Sequence, residues 1–209
     1  MARAFAEIAF TDSVKAAQSR YGSRRAYKKF ELDGERGDRL TEREIEFLAN
    51  CDSFYMGSVS ESGWPYVQHR GGPKGFLKIL DDKTVGFADF RGNKQYISVG
   101  NLNVDNRVSL FIMDYPNRLR LKLWARARIV DRDENPELIA RLQEPSYEAR
   151  VERGIILTIE AFDWNCPQHI TPRFSEAEVE RRIAPLLEEN HALKEQLAEG
   201  AARKDSESQ

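Results

Sequence analysis

Residues 118–129 read Arg-Leu-Arg-Leu-Lys-Leu-Trp-Ala-Arg-Ala-Arg-Ile, the clearest strand signal in the chain. Leu119, Leu121, Leu123, Ala125, Ala127 and Ile129 alternate with Arg118, Arg120, Lys122, Trp124, Arg126 and Arg128. A period of two puts the first set on one face of a strand and the cations on the other. The plain reading is a half-buried strand with a solvated outer face. The sharper one is that part of the cationic row meets an anion or a partner subunit.

Strand signals surround this stretch. They run over 53–60, 65–70, 76–80, 84–90, 107–115, 119–131 and 154–162, with turn residues between them at Ser62-Gly63, Gly71-Gly72-Pro73, Asp81-Asp82 and Tyr115-Pro116-Asn117. Short helices are expected at 93–100 and 136–143. Crossover helices are mostly missing, so the pattern fits a closed antiparallel barrel and not a parallel sheet. Upstream, 11–21 reads as a helix capped by Thr11 or Asp12 and 23–39 as a charged loop. A further helix covers 41–50, where Thr41 and Glu44 make a capping box. Downstream, 175–199 returns to helix. There Val179, Ile183, Leu186, Asn190, Leu193 and Leu197 form a heptad seam, which either pairs with another helix in a register set by Asn190 or packs on the barrel, and Pro185 predicts a kink or two helices. The chain is thus expected to divide into a helical extension (1–50), a barrel domain (51–174) and a carboxyl-terminal helix and tail (175–209).

The chain has 209 residues, 41 % hydrophobic and 10 % aromatic, too apolar for disorder throughout and long enough for a real core. Its 34 acidic and 32 basic residues nearly cancel, which argues against nucleic acid as partner. The cancellation is local in origin. Residues 118–128 carry five cations and no acids, whereas 175–199 carries seven Glu against Arg181, Arg182 and Lys194. The longest apolar runs, such as Val108–Met113, are too short to cross a bilayer. Residues 1–10 show no signal peptide, and Cys51 and Cys166 make no disulfide framework, so the expectation is a cytoplasmic protein with reduced thiols and no membrane.

Three segments offer chemistry. In Gln68-His69-Arg70-Gly71-Gly72-Pro73-Lys74 two glycines would let a flat ligand approach the backbone, with donors beside it; a tight turn with exposed basic residues is the plainer reading. Asp89-Phe90-Arg91-Gly92-Asn93-Lys94-Gln95-Tyr96 leads from a strand into a helix start, where N–H groups, Arg91 and Lys94 would suit a phosphate. It lacks the Gly-Lys-Ser/Thr ending of a Walker motif. Trp64-Pro65-Tyr66 and Asp163-Trp164-Asn165-Cys166-Pro167-Gln168-His169 supply rings able to cover a flat heterocycle. The spacing of Cys166 and His169 has no second ligand pair, so no metal is expected. Asp81 and Asp82 share a turn and read as solvated.

In this order the segments 63–73, 86–98, Asn106-Arg107-Val108, 118–125 and 163–170 resemble the pyridoxamine 5′-phosphate oxidase-like, FMN-binding split-barrel family, and within it the bacterial oxidase-related members. The resemblance covers about residues 40–174. It implies a mainly β fold, a six-stranded antiparallel split barrel with helical extensions, forming a homodimer with FMN in the clefts between subunits. By resemblance Gln68, His69, Arg70 and Gly71 lie along the flavin ring. Phe87, Ala88, Arg91, Asn93, Lys94 and Gln95 sit at the phosphate, while Arg120, Trp164 and Gln168 come from the second subunit. Two departures stand out. Asn93 occupies a place where family members often carry Arg or Ser. The Arg-x-His pair that grips pyridoxamine phosphate is missing after Trp164, which points to another small-molecule substrate.

The implied function is an FMN-dependent oxidoreductase, with the cofactor performing the electron or hydride transfer. Two alternatives are a flavin-binding sensor or stress protein without turnover, and a split-barrel haem binder using His69 or His169. A further reading makes the carboxyl-terminal helix a docking arm for another chain.

Overall fold

The computed structural model describes residues 3–32, 34–164 and 167–207. Cys166, and with it the spacing to His169, lies outside the described residues. The elements in chain order are α1 (Ala4–Ala9), α2 (Asp12–Arg20), α3 (Arg24–Leu32), α4 (Glu42–Ala49), β1 (Ser53–Val59), β2 (Pro65–Gly71), β3 (Lys78–Ile79), β4 (Thr84–Phe90), α5 (Ile97–Val104), β5 (Arg107–Asp114), β6 (Leu119–Asp131), α6 (Pro136–Leu142), β7 (Val151–Trp164) and α7 (Glu176–Glu207).

The alternation in 119–129 does what its period requires. Leu121, Leu123, Ala125 and Ala127 are buried, and the side chains between them face outward. β6 pairs with β5 on one side and β7 on the other, all antiparallel, in a sheet of order β2-β1-β5-β6-β7-β4-β3. The sheet is antiparallel throughout, with flanking helices. Among the described residues it has seven strands, as many as the sequence signals and one more than the six that the resemblance implies; the segment read as a strand over 76–80 contributes only two residues, β3, paired with β4 at the sheet's edge. The main core gathers Phe54, Met56, Phe87, Leu110, Ile112, Leu121, Leu123, Ile155 and Leu157, all essentially sealed from water. A second cluster packs Ile139 and Leu142 of α6 on β4 and β7.

Two strands depart from regular pairing on β7. Asp89 pairs with Arg153 and Phe90 with Val151, which leaves Glu152 as a bulge. Trp124 pairs with Ala161 and Ala125 with Ile159, which leaves Glu160 as another. A bulge lets neighbouring side chains share a face that strict alternation would deny one of them.

Several local expectations need correction. The segment expected to be a loop at 23–39 contains α3. Its Tyr27 and Phe30 join Phe10 in a short aromatic cluster whose rings pack edge-on and tilted, and the ion pair Arg24–Glu31 links its first and last turns. Tertiary contact outweighs a composition that reads as polar. α5 starts at Ile97, later than the expected 93, because Lys94 and Tyr96 take left-handed backbone conformations (φ 62° and 53°). α7 is one element that runs through Pro185 without dividing in two. The predicted capping box on α4 is present: the Thr41 N–H and Oγ1 donate to Glu44 at 3.0 and 2.5 Å.

By contacts the chain forms two units. The first takes in 1–114 and 119–168; the second takes in 115–118 and 169–209. Within the second, the Arg173 guanidinium lies over Tyr115 at 5.0 Å and that of Arg182 over Phe174 at 4.0 Å. Among the described residues no helix is long and apolar enough to cross a membrane.

Candidate functional site

Strand alternation on β2 turns Tyr66, Gln68 and Arg70 to one side and Val67 and His69 to the other. The first three line a cleft of about 230 Å³. Asp89 and Phe90 at the end of β4, the loop 92–96, the start of α5, and Glu152 and Arg153 of β7 complete its walls. The bulge at Glu152 explains how two consecutive strand residues both reach it.

A polar network holds the walls together. Asp89 is 95 % buried and accepts from two guanidinium groups, Arg70 Nη1 at 2.5 Å and Arg153 Nη1 at 2.9 Å. Burial opposes the Arg153 charge, but Asp89, with Glu152 and Tyr96 beside it, outweighs burial and holds the Arg153 pKa above its ordinary value. Arg153 also pairs with Glu152 at 3.2 Å and lies over the Tyr96 ring at 5.0 Å, while the Tyr96 hydroxyl donates to Glu152 at 3.3 Å. Ser98 of α5 donates to Gln68 of β2 at 2.9 Å. Asn101 donates to Ser58 of β1 at 2.9 Å, both residues being buried. α5 is thereby bonded to the first two strands, and Arg70 ties β2 to β4 even though these strands share no ladder.

The loop entering α5 is shaped for an anion. Asn93 Oδ1 accepts from the Gln95 N–H at 3.1 Å, an Asx turn. Left-handed residues at 94 and 96 curl the backbone just before a helix amino terminus, where N–H groups lack helical partners. Lys94 makes no ion pair among the described residues. Arg70 Nε is buried without a hydrogen-bond partner. The charged residues in the walls are Arg70, Lys94 and Arg153 against Asp89 and Glu152, a net excess of one cation.

Of the residues that the resemblance assigns to the cofactor, Gln68, Arg70, Asn93, Lys94 and Gln95 meet in this cleft, joined by Tyr66, Asp89, Phe90, Gly92 and Tyr96 of the segments quoted from sequence. The other residues assigned by resemblance do not line it. His69 faces the opposite way, edge-on to Tyr55 with ring centroids 5.5 Å apart. The room left by the two glycines is taken by side chains: a Cβ on Gly71 would meet the His69 ring at 3.0 Å, and one on Gly72 would meet Phe76 at 2.7 Å. Phe87 and Ala88 are core residues of β4. Arg91 is exposed, its backbone N–H donating to Arg150 O at 2.9 Å. Arg120 lies over Phe111 at 5.1 Å on the outer face of β6, and its Nε is also buried without a partner. Gln168 is exposed beyond β7. Sequence reasoning missed Glu152, Arg153 and the part played by Asp89, because a bulge leaves no mark on hydrophobic period.

Trp164 stands in a second depression, about 440 Å³, between the end of β7 and the amino-terminal helices. Its Nε1–H donates to Glu44 at 2.6 Å, Phe47 meets its ring edge-on at 4.8 Å, and the Arg43 guanidinium lies over it at 4.2 Å. Burial raises the Glu44 carboxyl, but the hydrogen bonds from Thr41 and Trp164 outweigh this and leave its pKa below the ordinary value. Nearby, Phe5 of α1 stacks on Trp124 at 5.0 Å.

The cleft and the sheet that carries it place the chain among antiparallel split-barrel proteins. The family profile for pyridoxamine 5′-phosphate oxidase matches residues 40–162, more than half of the chain, and the chain belongs to that family. Among solved structures it is similar to HupZ of Group A Streptococcus (15 % identity over 65 % of this chain and 100 % of that one, TM-score 0.49). It is also similar to a protein from Clostridium acetobutylicum related to general stress protein 26 (16 %, 66 % and 94 %, 0.45). A third is the haem storage protein HutZ of Vibrio cholerae (18 %, 60 % and 94 %, 0.39). At these identities the likeness is one of fold. No curated protein matches the chain.

Proposed function

We propose that the cleft between β2, β4 and α5 binds FMN and that the protein is an FMN-dependent oxidoreductase acting on a small molecule other than pyridoxamine phosphate. The observation that carries this reading is the pairing of a buried, unpartnered donor, Arg70 Nε, with the curled loop at Lys94–Tyr96 in one cleft.

The donor set fits the group. A phosphate needs cations and N–H groups; Arg70, Lys94, Gln95 and the start of α5 supply them. Gln68 and Tyr66 offer an amide and a ring for the polar edge and face of a flat heterocycle. The cleft of one chain is smaller than the roughly 300–1,000 Å³ usual for ligand pockets. The ring would therefore rest partly outside these walls, under a second copy. Arg120, Trp164 and Gln168 are the residues proposed to reach it from that copy. With its N–H held by Glu44, Trp164 would offer its ring alone. When bound, FMN supplies transfer of one or two electrons or a hydride. The chain's own part is to bind, orient and exclude water.

A second reading, a flavin binder without turnover, is favoured by one observation. Both carboxylates in the cleft are engaged, Asp89 by two arginines and Glu152 by Arg153 and Tyr96, so no free carboxylate faces the site among the described residues.

The test is an absorption spectrum of the purified protein and a titration with FMN, followed by reduction with NADH, NADPH or a reduced deazaflavin. Saturable binding with flavin absorbance near one FMN per chain supports the proposal, and steady turnover separates oxidoreductase from binder. A colourless protein that takes up no FMN overturns it, and a Soret band on adding haem would redirect the site to the haem reading.

A further inference from the structure

The carboxyl-terminal helix carries a feature that no part of the cleft uses. On α7 the residues Val179, Ile183, Leu186, Asn190, Leu193 and Leu197 recur at alternating steps of four and three. In heptad notation Ile183, Asn190 and Leu197 fall at a, and Val179, Leu186 and Leu193 at d. The five apolar members are 42–74 % exposed in the single chain. Pro185 falls at c, pointing away from the seam, so its ring does not interrupt the stripe.

We propose that this seam pairs with the same seam of a second copy as a parallel, in-register, two-stranded coiled coil. Three features choose this occupant. Asn190 is an amide at an a position. In a parallel pair a meets a, so Asn190 faces its own copy and the two amides bond each other. In an antiparallel pair a meets d, so the amide would be buried against leucine with no partner. Glu189 at g and Lys194 at e are the positions that meet across a parallel pair, and their charges are opposite, twice by symmetry. The central apolar positions, Ile183 at a with Leu186 and Leu193 at d, follow the pattern that favours two strands, while Val179 at d and Leu197 at a, at the two ends, depart from it.

The seam spans fewer than three heptads and would be weak alone. The inference therefore rests on the paired barrels of the proposed function, which would hold the two helices at high effective concentration. The coil would then lock which two barrels pair.

The test uses the full chain with Ile183→Cys or Asn190→Cys, and Glu188→Cys at the outward f position as control. Each variant is oxidised mildly and the linked peptides are identified by mass spectrometry, which separates them from links through Cys51 or Cys166. Linking of 183 to 183 and of 190 to 190, each roughly tenfold or more faster than 188 to 188, is the expected result. An antiparallel pair brings at most one position against its own copy. Linking at 190 alone, or at neither position in a chain that sediments as a dimer, overturns the coil and leaves the barrel pairing standing. A monomer by sedimentation overturns both, while FMN titration of the same sample reports on the cleft separately.

Discussion

Arg70 and Lys94 share one cleft but have different second duties, and that difference makes them separable. Lys94 is exposed and makes no ion pair among the described residues. Lys94→Ala is expected to remove one charge-assisted phosphate contact, about 1.5–3 kcal/mol or roughly 10- to 150-fold in FMN Kd, with little change in unfolding free energy. Arg70→Ala should weaken FMN comparably and also cost stability, because Asp89 would keep only Arg153 in a buried setting. Titration and urea denaturation of both variants check this; equal Kd values for both variants and the parent would refute the cleft assignment. Glu44 gives a pH prediction. Its folded pKa lies below its ordinary value of 4.5. Its contribution is therefore present above the unfolded pKa and is lost as pH falls through the folded one. The unfolding free energy of the parent should fall relative to Glu44→Gln between about pH 5 and the acid limit, with Trp164 fluorescence as reporter. At this scale the sequence was readable where donors sit on a strand or in a loop, as with Gln68, Lys94 and the Thr41–Glu44 box. It was unreadable where a residue's role depends on which face its strand presents. His69 lies between two cleft residues in sequence and on the opposite side in space, edge-on to Tyr55.

Elements show what the glycines and prolines are for. Gly72 has no side chain because Phe76 fills that space and stacks on Phe54 at 5.6 Å. Gly72→Ala would push into the Phe76 Cβ and Cγ, which cannot swing away without leaving the core. An overpacking cost of about 1–3 kcal/mol is expected, a drop of several degrees in Tm by calorimetry. Pro185 denies the Arg181 carbonyl its helical partner. Pro185→Ala should therefore favour the helix by about 3 kcal/mol and raise the ellipticity at 222 nm that survives heating. The strands were legible because alternation and turn residues reinforce each other from Ser53 to Phe162. α3 was not, since Tyr27 and Phe30 look stray in a charged segment until Phe10 is placed against them. The apolar stripe on α7 was legible as a pattern, because a heptad is a property of one helix; what covers it was not, since that depends on tertiary contact.

At the scale of the whole molecule, the family and the split-barrel class could be read from ordered motifs spread along the chain. The cleft could not be read whole, because Glu152 and Arg153 enter it through a bulge on a strand more than fifty residues away from the Lys94 loop in sequence. If the barrels pair over the flavin, sedimentation velocity should give a dimer carrying close to two FMN, and removing the outer-face charge in Arg120→Ala should weaken FMN binding from the partner's side. A dimer with unaltered FMN affinity in that variant would remove Arg120 from the site. The sheet order also bears on how the protein is made. β7 lies between β6 and β4, so the β4 edge has no neighbour on that side until β7 has been synthesised. About seventy residues separate Phe90 from Trp164, roughly 4–15 s of translation at typical rates. For that interval a strand with five residues that end up consecutively buried, Val85 to Asp89, offers an open hydrogen-bonding edge to other chains. The nascent chain is open to misassociation there, and a pause or a chaperone acting between these two strands is expected to change the yield of folded protein, which pulse-labelled expression checks.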